Sequence, residues 1–185
     1  MRTQNLATTV YLALGSNLGD RPAALGAAVA RLAGAAGRIE IAALSPLYET
    51  DAVADEPQPP YLNAVLRART VLSARALLDH ALSVERELGR VRPPAARKAP
   101  RTIDIDLLLY GALIVDEPGL RLPHPAMWER PFVLIPLADV AERGLRHPVT
   151  SVPLDDAAPH PSVRPISCCA SSSASATSAS RAAPR

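Results

Sequence analysis

The chain has 185 residues, 48% of them hydrophobic and 3% aromatic, with a formal net charge of +2. That length and apolar share fit one domain with appendages, and the charge is too small for general nucleic-acid binding. No apolar run reaches the roughly 18 residues of a membrane span, and the N-terminus lacks a signal peptide's apolar core, so a cytoplasmic protein without membrane or nucleic-acid partners is expected.

Residues 1–8 read as a disordered lead-in. Thr9 to Leu14 is an apolar β-type run that stops at the turn-forming Gly15-Ser16-Asn17-Leu18-Gly19-Asp20-Arg21. Asp20 is a helix N-cap with Pro22 in the first turn, and Leu25, Val29 and Leu32 follow at helical spacing up to Gly34. Arg38 to Tyr48 reads as a second strand. Glu49 to Pro60 is a proline-containing loop that can hold neither helix nor central strand. Tyr61 to Val71 alternates as a third strand. Ser73 caps a second helix with a stripe of Leu77, Ala81, Val84 and Leu88, ended by Gly89.

Arg90 to Ala99 carries Arg90, Arg92, Arg97 and Lys98, with Arg101 just beyond, and no large apolar side chain. It has no core to join and is expected to be a mobile loop. Pro100 to Gly111, PRTIDIDLLLYG, reads as a buried strand. Ile103, Ile105 and Leu107 share one face, and Asp104 and Asp106 the other. Two carboxylates so spaced lie roughly 6–7 Å apart along a strand. They can flank a pair of divalent ions about 4 Å apart, or be paired with arginines in a structural network. Both readings stay open on spacing alone.

Asp116 to Pro125 is a turn and a short extended piece, and the following segment suggests a short helix closing the core. The order β-α-β-β-α-β is that of a split βαβ, ferredoxin-like sheet with helices, an α+β fold. Residues 9–149 make this domain. The Pro/Ser/Ala-rich stretch 150–185 is expected to be a disordered tail, and its Cys168 and Cys169 offer neither metal-ligand spacing nor a disulfide framework.

Carboxylates beside a cationic loop suit a polyphosphate with metal ions. His124, set between Pro123 and Pro125, could bind a phosphate oxygen or simply hydrogen-bond in a turn, and nearby Arg130 favours the first. Tyr61, Asn63 and Phe132 could sandwich and read a flat heterocycle, or be ordinary core residues. No GxxxxGK[ST] loop occurs, so ATP would be held without that cradle.

LGSNLGD (14–20), YLNAV (61–65), GRVR (89–92), PRTIDIDLLLYG (100–111), LPHPAM (122–127) and ERPFVLIPLADVA (129–141) together resemble the 6-hydroxymethyl-7,8-dihydropterin pyrophosphokinase family of folate biosynthesis. The resemblance implies a three-layer αβα ferredoxin-like fold and transfer of pyrophosphate from ATP to the pterin's hydroxymethyl oxygen, releasing AMP. It implies that Asp104 and Asp106 hold two Mg2+ ions and that Arg90 and Arg101 are catalytic. Glu85, Arg92, Arg97, His124 and Arg130 would contact ATP. Thr50, Asp51, Val53, Tyr61, Asn63 and Phe132 would contact the pterin. Many members carry Trp-Gly before PRT, where this chain has Lys98-Ala99. The partners would be these small molecules alone, with the chain a monomer. Two other readings compete. One is a non-enzymatic ferredoxin-like module whose acids pair with arginines. The other is a two-metal nuclease or nucleotidyl hydrolase.

Overall fold

A computed structural model describes residues 6–53, 57–91, 99–154 and 157–166. The sheet grows from β1 (Thr8–Ser16), which is flanked by two antiparallel partners, β4 (Tyr61–Thr70) and β5 (Asp104–Tyr110). β2 (Ile39–Leu44) and β3 (Tyr48–Thr50) both pair antiparallel with β4, and a two-residue β8 (Arg164–Pro165) pairs with β3. β6 (Val115–Glu117) and β7 (Leu120–Leu122) form a separate hairpin.

The helices start where the side chains dictate. Asp20 accepts the Ala23 N–H at 3.0 Å to open α1 (Arg21–Ala33), and Ser73 accepts the Ala76 N–H at 3.3 Å to open α2 (Ala74–Glu87). Gly89, at φ +81°, adopts the left-handed backbone that ends α2. A third helix, α3 (Pro131–Val140), has Pro131 in its first turn, where no N–H is missed.

Alternation along β1 sends its side chains into two clusters. Val10, Leu12 and Leu14 join Leu25, Ala28 and Leu32 of α1 and Leu77, Ala81 and Val84 of α2. Tyr11 joins Val65, Met127 and the α3 residues Val133, Leu137 and Val140. On β5, Ile105 and Leu107 belong to the first cluster, but Leu108 and Leu109 both belong to the second. The register slips there: Tyr11 faces Leu109 while Leu12 faces Leu107, so Leu108 is the extra residue of a β-bulge.

Two expectations need correction. Residues 38–48 are not one strand. The chain breaks at Ser45-Pro46, where the Ser45 hydroxyl accepts the Val65 N–H at 3.0 Å and donates to the Pro46 carbonyl at 2.8 Å. Nor is the chain detached from residue 150 on. Leu154 and Val163 are buried, and the Ile166 N–H donates to Leu47 O at 2.8 Å. These two apolar anchors and the β3 pairing hold a stretch whose proline content suggested disorder. The remainder of the expected tail, 167–185, with both cysteines, lies outside the described residues, as do Arg92, Arg97 and most of the 90–99 loop.

Candidate active site

The next-to-last residue of β1 is a glycine, Gly15, and it makes the floor of the site. Across three adjacent strands, Asn63 of β4, Gly15 of β1 and Asp104 of β5 stand in register, with Ala13 facing Asp106 one step along. A Cβ on Gly15 would sit 3.4 Å from Asn63 Oδ1 and 4.0 Å from Asp104 Cβ. The small residues of β1 thus leave room between a carboxamide and two carboxylates. Above them opens a cavity of about 880 Å³.

The walls come from loops and strand ends. Tyr61 opens β4, and Phe132 lies in the first turn of α3. Each ring carries a guanidinium, Arg101 over Tyr61 and Arg130 over Phe132, both 5.8 Å from the ring centroid. Asn63 donates to the Thr50 hydroxyl at 2.9 Å, which fixes its amide and ties β4 to the end of β3. Asp51 and Val53 continue from Thr50 along the rim of the same cavity.

Asp104 is the hub of the charged wall. One of its oxygens accepts from Arg90 and the other from Arg101. Arg90 also pairs with Glu85, which is 2% exposed and accepts the Ile105 N–H at 2.8 Å. Glu85 therefore clamps the end of α2 to β5 and orients Arg90. It lies outside the cavity lining.

Asp106 has a different environment. Burial and the neighbouring Asp104 carboxylate push its pKa above the ordinary carboxylate range, against the pull of His124, Arg130 and Arg90. Burial lowers the pKa of His124, with Asp106 opposing. The Leu108 bulge explains their closeness: its carbonyl accepts the His124 N–H at 2.9 Å and holds the His-Pro turn against β5. Among the described residues, His124 Nδ1 is buried without a hydrogen-bond partner.

Asp106 and His124 also face a second cavity, of about 890 Å³, between Leu78 and Leu82 of α2, Leu107 of β5 and the β6–β7 hairpin. The two cavities meet at this His-Asp pair.

The sequence reading gathered most of this site but gave no role to Asn17. Its backbone N–H donates to Arg101 O at 3.1 Å, its Oδ1 accepts the Arg101 N–H at 2.7 Å, and its Nδ2 reaches Pro59 O at 3.3 Å. The signal was the LGSNLGD turn itself, where an Asn directly after a strand is free to bridge two loops.

Among the described residues no cluster of three or more His, Cys, Asp or Glu is arranged for a metal. Asp104 and Asp106 nonetheless supply two hard oxygen donors on one face, and burial together with the Asp104 carboxylate raises the pKa of Asp106, which a cation between the two acids would counter. Mg2+, which keeps most of its ligands from water and phosphate, fits such a pair.

The family model for 7,8-dihydro-6-hydroxymethylpterin-pyrophosphokinase (HPPK) matches residues 11–142. A Porphyromonas gingivalis 2-amino-4-hydroxy-6-hydroxymethyldihydropteridine pyrophosphokinase is 46% identical over 134 residues, covering 71% of this chain and 90% of its own. The Bacillus subtilis protein of the same name is 42% identical over 133 residues, covering 72% and 78%. Among solved structures, Plasmodium falciparum HPPK-DHPS superposes with a TM-score of 0.62 at 14% identity, over 83% of this chain and 45% of that one. That likeness speaks to the fold alone, and this chain spans less than half of the Plasmodium protein. Every cavity wall built by β1, β4, β5 and α3 falls inside the matched residues, and on that match the chain belongs to the 7,8-dihydro-6-hydroxymethylpterin-pyrophosphokinase family.

Proposed function

We infer that this chain transfers pyrophosphate from ATP to the hydroxymethyl group of 6-hydroxymethyl-7,8-dihydropterin, releasing AMP, in folate biosynthesis. The observation that carries the reading is one cavity joining two aromatic rings and a fixed carboxamide to an arginine–carboxylate cluster.

In our assignment the pterin lies in the 880 Å³ cavity, between Tyr61 and Phe132, with Asn63 on its edge and Thr50, Asp51 and Val53 at its rim. ATP lies against the second cavity, whose Leu78, Leu82 and Leu107 offer an apolar seat for a base. Its phosphates then run past His124 and Asp106 to Arg130, Arg101 and Arg90. Glu85 serves the nucleotide by holding Arg90, and Arg92 and Arg97 would add to the phosphate contacts.

The pterin hydroxyl attacks the β-phosphorus in line. An O–P bond forms as the hydroxyl proton passes to water, the bond between the β-phosphorus and the α–β bridging oxygen breaks, and AMP leaves with that oxygen. Positioning supplies much of the barrier reduction, because the substrates are held on two sides of one His-Asp pair. Arg90, Arg101 and Arg130 neutralise charge on the transferred group, as fixed cations in a partly desolvated cavity. To do so Arg90 and Arg101 give up part of their hold on Asp104, which frees its oxygens. Two Mg2+ ions held by Asp104 and Asp106 would supply charge neutralisation on the phosphate oxygens. The strand order β5-β1-β4-β3, all antiparallel, supports a ferredoxin-like layering. A cytoplasmic monomer completes the assignment.

The test is AMP formation from ATP with and without the pterin and Mg2+, in wild type and Asp104→Ala. Pterin- and Mg2+-dependent AMP that disappears in the variant supports the reading. ADP in place of AMP would mean attack at the γ-phosphorus. Undiminished turnover in Asp104→Ala would favour a purely structural arginine network around that acid.

A further inference from the structure

We propose that residues 157–166, beyond the stretch matched by the family model, form part of the pterin site, with His160 as a specificity-determining hydrogen-bond donor at the cavity mouth. The proposal rests on the pterin assignment above. Four observations carry it.

The segment is built onto the sheet next to the predicted pterin loop. Arg164 and Pro165 pair with Glu49 and Tyr48, immediately before Thr50. Arg164 reaches Asp51 at 3.1 Å, so the segment holds the rim residue directly. That ion pair is exposed on both sides and adds little by itself, so the backbone pairing and the buried Val163 provide most of the hold.

From this anchor the chain turns so that His160 and Ser162 line the same cavity as Tyr61, Asn63 and Phe132. The turn is closed by the Val163 N–H donating to His160 O at 2.9 Å.

The ring's hydrogen bonding fixes its chemistry. The Ser162 backbone N–H donates to His160 Nδ1 at 3.3 Å, and the Ser162 hydroxyl lies 2.7 Å from the same nitrogen. A nitrogen that accepts from a backbone N–H carries no proton in the neutral ring. The proton is then on Nε2, which is left as a donor for a ligand acceptor.

A pterin presents a carbonyl oxygen and ring nitrogens as acceptors. Beside the arginines, the lining offers donors in Gln58, Asn63, His124 and the Thr50 and Tyr61 hydroxyls, of which Asn63 gives one amide hydrogen to Thr50; His160 adds an imidazole donor from the segment that β8 anchors. An Nε2 donor at the mouth suits the acceptors along a heterocycle's edge.

The experiment uses the full chain and three proteins: wild type, His160→Ala, and Val163→Asp, which places a charge at the buried anchor and peels the segment away. Pterin binding is titrated directly by the ligand's fluorescence, without turnover. KM for the pterin, KM for ATP and kcat are measured alongside. We expect pterin affinity to fall about fivefold in His160→Ala and about tenfold in Val163→Asp, with ATP KM and kcat within about twofold of wild type. Should Val163→Asp fail to fold, His160→Ala alone decides. Unchanged pterin affinity in folded His160→Ala overturns the proposal, as does an equal loss of pterin and ATP affinity. Failure of the pyrophosphokinase reading looks different: wild type would form no AMP and bind no pterin.

Discussion

Asn17 and Arg101 hold each other by two backbone-directed bonds, Arg101 N–H to Asn17 Oδ1 at 2.7 Å and Asn17 N–H to Arg101 O at 3.1 Å. This pair joins the loop after β1 to the entrance of β5, and it sets where the Arg101 guanidinium starts. Asn17 is 1% exposed. Asn17→Ala leaves the Arg101 N–H and the Pro59 carbonyl without this partner, at a cost of about 2 kcal/mol. Thermal unfolding should drop by about 4–8 °C at this chain length, and kcat should fall with it because Arg101 is no longer fixed. An unchanged melting temperature would show the bridge to be dispensable.

Glu85 and Asp104 should separate stability from activity. Glu85→Ala leaves Arg90 short of a buried counter-charge and the Ile105 N–H without its acceptor, so a loss of about 3 kcal/mol is expected. Asp104 is more open, and its removal relieves the repulsion on Asp106. Asp104→Ala should therefore melt within a few degrees of wild type while losing activity on the order of 1,000-fold. Chemical denaturation and AMP release on the two variants check both halves.

Gly15→Ala tests the floor of the site. The new methyl would lie at an ordinary contact distance from Asn63 Oδ1, and alanine weakens a strand less than glycine does. Stability should hold or rise by about 0.5 kcal/mol. Pterin affinity should fall about tenfold, because the methyl fills the space between the carboxamide and the carboxylates. Direct titration of the pterin, set beside the unfolding curve, distinguishes this from a folding defect.

Tyr48 gives a pH-dependent prediction outside the site. Its hydroxyl donates to Asp139 Oδ2 at 2.8 Å, joining β3 to α3. Burial, with the Asp139 hydrogen bond and charge adding to it, raises its pKa from 10.0 to about 12. The folded state thus favours the protonated phenol. Its contribution is complete below pH 10, where the unfolded chain also keeps the proton, and is lost as the pH rises towards 12. Tyr48→Phe should be less stable than wild type at pH 8, by about 1 kcal/mol, with the gap narrowing above pH 10. A gap constant from pH 8 to 12 would contradict the assignment.

Much of the sheet was legible because its signals are local. Asp20 and Ser73 cap the helices they were expected to cap, and the alternation of Ile105 and Leu107 against Asp104 and Asp106 holds. What was hidden depends on distant partners. The Leu108 bulge is invisible in a run of three leucines, since it is defined by its register against Tyr11 and Leu12. Asn17 reads as a turn residue until Arg101 and Pro59 arrive beside it. Leu154 and Val163 are too sparse to outweigh the prolines around them, yet each finds a buried place. Within the site, spacing alone left Asp104 and Asp106 equivalent. Their difference comes from who faces them: two arginines bond to Asp104, while Asp106 is surrounded by burial and a histidine.

Pro165 has one more consequence, for how this protein behaves in concentrated solution. It stands opposite Tyr48 on β8, the last strand at that end of the sheet. A proline has no N–H to offer an incoming strand, and a two-residue strand presents almost no ladder to extend. With β8 in place, the three-residue edge of β3 is covered by a segment that cannot template another copy. A chain cut before residue 157 would expose that edge next to Tyr48 and Leu47, and it should self-associate where the full chain stays dispersed, a difference that light scattering reads directly.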